Sequence, residues 1–172
     1  MRQLNRLPTA GRTDQNKALN FTFNGKGYQG VAGDTLASAL LANGVDVVGR
    51  SFKYARPRGI FGHGPEEPNA IIQLGSGAAT IPNLKATQVE LYEGLEAASV
   101  NGWPSVNFDL MGLIGAFGRL MPPGFYYKTF MYPKKLWMTY EHFIRKAAGL
   151  GSSPTERDPD SYEKLNQHCD VL

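Results

Sequence analysis

The stretch ALNFTFNGKGYQGVAGDTLASALLANGVDVV, residues 18–48, decides the fold. Leu19, Phe21 and Phe23 alternate with Asn20, Thr22 and Asn24, the period of a strand with one buried face. Asn24-Gly25 supplies the positive φ angles that a tight primed turn requires, and Tyr28 and Val31 fall on the returning strand. A hairpin over 18–31 is the expectation. Gly33-Asp34-Thr35 then opens a helix, with Asp34 or Thr35 able to accept hydrogen bonds from its first turn. Leu36, Leu40 and Asn43 share one face, which Ala37, Ala39 and Leu41 widen. Asn43-Gly44 stops the helix, because glycine tolerates the left-handed conformation after the last turn. A short strand over 45–48 follows.

Strand, strand, helix, strand is how a beta-grasp domain begins, an order shared by ubiquitin-like and plant-ferredoxin-like domains. Further strands are expected at 70–74 and 86–92, separated by a Gly-rich turn. The fold class expected is α+β: a beta-grasp domain over 18–100, preceded by a polar arm over 1–17 that lies on something else. From Asn101 the character changes. Residues 103–143 carry most of the aromatic side chains, among them Trp103, Phe108, Phe117, Trp137 and Phe143. Asp109 can cap a helix running to about 121, weakened by Gly112, Gly115 and Gly118 and ended by Pro122-Pro123-Gly124. A second helix is expected over 134–147, with Leu136, Tyr140, Phe143 and Ala147 as its apolar stripe and Glu141 paired with Arg145. The helical, aromatic-rich segment thus spans 101–148. The remainder, 149–172, reads as a Gly/Ser/Pro linker, a helical turn and the opening of a buried strand, a truncated second domain.

Composition bounds the class. The chain of 172 residues is 42% hydrophobic and 19% charged, ordinary values for one sizeable core. Basic residues near the N-terminus have no apolar run behind them, and LMGLIGAFG (110–118) is too short to span a bilayer. Cys169 is the single cysteine, which excludes an internal disulfide framework. A cytoplasmic protein is the expectation. The net charge of +3 is unevenly spread: nine Lys and Arg face three acids in residues 1–64, and nine face twelve thereafter. A basic first third suits an anionic ligand, an acidic partner surface or charge pairing within the fold.

Six strings in order, GDTLASALLANGV (33–45), GRSFKYARPRGI (49–60), EEPNA (66–70), FYYKTFMYP (125–133), AAGLG (147–151) and HCDVL (168–172), make the chain resemble the N-terminal region of the alpha subunits of heterotetrameric sarcosine oxidases. The resemblance implies a complex that oxidatively demethylates sarcosine to glycine, with hydrogen peroxide and a folate product. It also implies FAD and FMN, NAD and tetrahydrofolate in the full complex, none of them held by this chain alone. The partners implied are the rest of the alpha subunit and the beta subunit, with no nucleic acid and no membrane. In the family the HCDVL-like string leads into a dinucleotide-binding loop. Related alpha subunits carry an iron–sulfur cluster whose thiolates lie in the loop after the arginine string. That loop reads IFGHGPEEPNA here, and one thiol a hundred residues away cannot hold a two-iron cluster, which leaves a ferredoxin-like 2Fe-2S-type scaffold without cluster cysteines.

Two motifs are candidates for contact with a ligand. In GRSFKYARPRG, Arg50, Lys53, Arg56 and Arg58 interleave with Phe52 and Tyr54, and Pro57 and Gly59 set the loop. Such a loop can hold a dinucleotide or flavin phosphate through bidentate arginine bonds. It can equally be a structural interface, and nucleic acid would suit the charge. In FYYKTFMYP, Lys128 and Thr129 sit among aromatics, either in a partner-facing strap or beside an anionic ligand such as a flavin phosphate. His63, His142 and His168 lack metal spacing, Glu66-Glu67 are adjacent in a loop and do not form an acid–base pair, and no nucleophile has a neighbouring base. No catalytic residue and no metal site are expected. The sequence reading is a scaffold and interface region. Its rivals are a module that clamps NAD or FMN, or a free-standing basic binding protein.

Overall fold

The computed structural model describes residues 3–8, 11–116, 132–158, 160–166 and 168–171. Strands β1 (Asp14–Phe23) and β2 (Lys26–Ala32) form the hairpin, pairing Phe21 with Tyr28 and Phe23 with Lys26. Asn24 and Gly25 turn it at φ 52° and 74°, as the Asn-Gly pair requires. β1 starts earlier than the alternation suggests: four more polar residues, with an irregular pairing between Asp14 and Ala18, extend the strand.

Helix α1 (Leu36–Ala42) is capped by Thr35, whose hydroxyl accepts from the Ser38 N–H at 3.1 Å while the Ser38 hydroxyl accepts from the Thr35 N–H at 3.0 Å. Asp34, the other capping candidate, turns inward instead. It is buried and accepts from the Val31 N–H at 2.9 Å, the Ser38 hydroxyl at 2.8 Å and the Arg6 guanidinium. Arg6 belongs to the N-terminal arm, so the arm rests on α1; Asn5 also donates from its backbone to the Ala42 carbonyl at 3.3 Å.

Strands β5 (Ile71–Leu74), β6 (Ile81–Lys85) and β7 (Leu95–Ser99) complete a five-stranded sheet in the order β2-β1-β7-β5-β6. β1 and β7 run parallel at its centre and every other pair is antiparallel. Phe21, Phe23, Leu36, Leu40, Ile72 and Leu95 form the heart of the core between sheet and helix. This is an α+β beta-grasp fold.

Two expected strands are corrected. Residues 45–48 are irregular, and the chain forms a separate small hairpin just beyond, β3 (Gly49–Arg50) with β4 (Pro57–Arg58). Residues 86–92 do not enter the sheet, although Ala86, Val89 and Leu91 are buried. Their carbonyls accept from the start of α1, Ala86 from the Ala37 N–H at 3.0 Å and Val89 from the Leu36 N–H at 2.8 Å. A helix leaves its first N–H groups without internal acceptors, and this segment supplies them.

Helix α2 (Met111–Ala116) follows a turn in which the Asp109 carboxylate accepts from the Met111 and Trp103 N–H groups at 3.0 and 3.2 Å. The rest of the helix expected to residue 121, with Lys128 and Thr129, lies outside the described residues. Helix α3 (Trp137–Ala148) forms as expected, with the Glu141–Arg145 pair at 2.9 Å. Half of its expected apolar stripe stands, with Tyr140 and Ala147 half-buried; Leu136 and Phe143 are exposed, and their neighbours Trp137 and Ile144 are half-buried instead. Beyond Gly149 the described residues form no regular element, so neither the helical turn nor the strand opening expected at 161–172 is present among them. No helix of the described residues is long and apolar enough to cross a membrane.

Candidate functional site

The β3–β4 hairpin carries all four cations of the arginine string, and the structure divides them into two kinds. Arg50 is a buttress. Its guanidinium donates to three carbonyl oxygens, those of Val106 at 2.6 Å, Asn107 at 2.9 Å and Ala55 at 3.0 Å. The planar fork reaches three carbonyls spread around its plane, a spacing that the compact head of an ammonium does not match. Asn101 locks the same residue from the backbone side, its amide accepting from the Arg50 N–H at 2.9 Å and donating to the Arg50 carbonyl at 2.7 Å. Arg58 donates to the Asn69 side chain at 2.7 Å. Arg50 and Arg58 both line a shallow cleft of about 220 Å³ bounded by Phe52, Asn69 and Gly149.

The tip of the hairpin holds the other two. Ser51 closes it, donating from its N–H to the Arg56 carbonyl and accepting from the Arg56 N–H at its hydroxyl, both at 2.9 Å. Ala55 takes φ +48°, a conformation that residues with a Cβ rarely adopt. The consequence is that Lys53 and Arg56 both lie against the Tyr54 ring, 5.2 and 4.9 Å from its centre. Both are exposed, and among the described residues neither has an ion pair with a carboxylate. The sequence placed the four cations together; the fold engages Arg50 with backbone and leaves Lys53 and Arg56 turned to solvent.

The following loop, residues 59–70, is organised by its two glutamates, which sequence reasoning set aside. Glu66 accepts from the N–H groups of His63 at 2.9 Å and Gly64 at 3.0 Å. Those backbone donors, with the N–H of Glu66 itself, hold its carboxyl at about 2. Glu67 is fully buried, and burial by itself would raise its pKa; the N–H groups of Gly62, Asn69, Phe61 and Ala70 overcome this and hold the carboxyl below the ordinary glutamate range. The spacing Gly62-x-Gly64-x-Glu66-Glu67 could have signalled such a carboxylate-centred turn.

The segment from Gly102 to Leu113 folds over Arg50 and presents apolar side chains outward. Trp103, Phe108 and Leu113 are each about two-thirds exposed, and Met111 is also open to solvent. Their backbone is nevertheless pinned, by Arg50 below, by Asp109, and by the Ser105 N–H donating to the Phe108 carbonyl at 3.2 Å.

Comparison with known proteins adds the following. Residues 16–102 match the family described as a 2Fe-2S iron–sulfur cluster binding domain. The chain is 57% identical over 168 residues to sarcosine oxidase subunit alpha of Rhizobium meliloti (strain 1021), covering 97% of this chain and 17% of that one. It is 42% identical over 104 residues to the protein of the same name from Corynebacterium sp. (strain U-96), covering 58% of this chain and 11% of the other. It therefore spans less than a fifth of the length of these relatives. A solved structure, L-proline dehydrogenase from P. horikoshii, overlaps 57% of this chain with a TM-score of 0.40 and 26% identity, and covers 17% of that chain.

The residues present do not fit the cluster of the family description. A two-iron cluster takes four thiolates, or two with two imidazoles. Residues 16–102 contain no cysteine, and Cys169 is exposed on the irregular C-terminal segment. Among the described residues no group of three His, Cys, Asp or Glu converges as a metal site.

Proposed function

This chain belongs to the family of 2Fe-2S iron–sulfur cluster binding domains, and we propose that it serves there as a scaffold: the N-terminal region of the alpha subunit of a heterotetrameric sarcosine oxidase, without an active site of its own. The observation that carries this reading is the 57% identity that runs along 97% of the chain to one alpha subunit. On this reading the oxidative demethylation of sarcosine takes place elsewhere in the complex, where FAD, FMN, NAD and tetrahydrofolate are bound. What this region contributes is shape. Arg50 and Asn101 tie the β3–β4 hairpin to the segment that follows the sheet, and that segment holds Trp103 and Phe108 outward on a fixed backbone. Rigid aromatic side chains on a pinned loop are the residues that anchor protein interfaces. The partner is the rest of the alpha subunit and the beta subunit.

The test is assembly. Co-expressed with the remaining alpha polypeptide and the beta subunit, Trp103→Ala with Phe108→Ala should weaken the complex by at least about 30-fold, as loss of an interface anchor does. Unchanged assembly and activity would overturn the scaffold reading. A second reading rests on the Lys53–Tyr54–Arg56 tip, whose paired cations suit the phosphate of NAD or of a flavin. Arg58, and by sequence Lys128 and Thr129, belong to the same proposal. Lys53→Ala with Arg56→Ala in the assembled enzyme then lowers affinity for NAD or FMN and leaves assembly intact.

A further inference from the structure

Two carboxylates are buried in the described structure, Asp34 and Glu67. Asp34 has a cation, Arg6. Glu67 has none: its partners are backbone. One oxygen accepts from the N–H groups of Phe61 at 2.7 Å and Gly62, the other from Asn69 at 2.7 Å and Ala70 at 3.1 Å. A carboxylate offers about four lone-pair positions, so all are filled and none remains for a metal. Four N–H groups converging on one buried point make an anion site of the backbone-nest kind. The loop is built around it. A Cβ on Gly62 would stand 2.9 Å from the Glu66 carboxylate and 3.3 Å from the Glu67 Cα, and one on Gly64 would stand 2.7 Å from Glu66. The Thr87 hydroxyl donates to the Gly64 carbonyl at 2.8 Å and Lys85 to that of Pro65, stitching the loop to the sheet.

We propose that loop 59–70 is a backbone anion site permanently filled by the Glu67 carboxylate, which holds the loop closed in a domain that has no thiolate to hold iron. The inference goes beyond the assembly reading and stands without it. The loop gains its fixed shape from one internal anion.

Chemical rescue tests it. Glu67→Ala in this chain leaves four N–H groups facing a vacated space, and the melting temperature should fall by roughly 5–10 °C. Sodium formate, which fits the space and restores two acceptor oxygens, should raise the variant's melting temperature along a saturating curve. Sodium chloride at equal ionic strength should not, and the wild-type chain should not respond to formate. Glu67→Gln keeps the shape, sets an amide N–H₂ against the donors, and should melt below wild type and ignore formate. Two measurements need no variant. The Phe61 and Gly62 amides of the wild type, though in a surface loop, should exchange with solvent at least about tenfold more slowly than an unstructured chain. Wild type incubated anaerobically with ferrous iron and sulfide, then desalted, should retain no iron. Freely exchanging amides, a Glu67→Ala chain as stable as wild type, rescue no better than chloride, or stoichiometric retained iron would each overturn the proposal.

Discussion

Replacing Arg50 by lysine keeps the charge and removes the fork, which makes it the sharpest probe of how the four cations divide. The guanidinium serves three carbonyls, those of Val106, Asn107 and Ala55. A lysine ammonium at the end of a different stem can satisfy one of them, and two are left to whatever water reaches a partly buried position. A hydrogen bond from a charged donor contributes about 1.5–3 kcal/mol, and partial exposure here argues for the lower end or less. Two lost bonds then cost about 2–3 kcal/mol, or roughly 5–10 °C in melting temperature for a chain of this length. Scanning calorimetry of Arg50→Lys beside Lys53→Ala/Arg56→Ala is the assay. The second pair, exposed and without carboxylate partners, should stay within about 2 °C of wild type. An Arg50→Lys chain equally unperturbed would refute the buttress, since the three contacts would then carry no net stability.

Removing the other buried arginine contact should be as costly. Arg6→Ala strands the Asp34 carboxylate with only the Val31 N–H and the Ser38 hydroxyl, and should lose about 2–3 kcal/mol by denaturant titration, part of which Asp34→Asn restores in the double variant. Gly30→Ala places a Cβ 2.3 Å from the Leu91 side chain and 3.1 Å from that of Ala39, so buried Leu91 must repack and α1 must give slightly, at about 1–3 kcal/mol in the same assay. Acid should loosen the 59–70 loop. The Glu66 carboxyl sits at about 2 in the folded chain against 4.5 for the free group, so its contribution is complete above 4.5 and fades as pH falls toward 2. Stability measured from pH 5 to 2 should fall less steeply in Glu66→Gln than in wild type.

What the sequence alone determined lies within short reach along the chain. The alternation of Leu19, Phe21 and Phe23, the Asn24-Gly25 turn, the Thr35 start and the Asn43-Gly44 stop all act within four residues, through steric limits on φ and helix-end hydrogen bonds, and each stands in the fold. Where the chain's partners are distant, tertiary structure decided. Buried Ala86, Val89 and Leu91 look like a strand by composition, but α1 needed carbonyls at its first turn, and the sheet drew its central strand from residues 95–99 instead. Along α3, Tyr140 and Ala147 are half-buried as the period expects, but Trp137 and Ile144 replace Leu136 and Phe143, because a helix shows its apolar face to whatever packs on it, which no local period names. Arg50 carries the same charge as Arg56 on paper; the Val106 and Asn107 carbonyls, more than fifty positions away along the chain, help make Arg50 a buttress, while Arg56 rests on the Tyr54 ring. Glu67 is the clearest case, because backbone N–H groups belong to every sequence and bind an anion only when a fold aims four of them at one point.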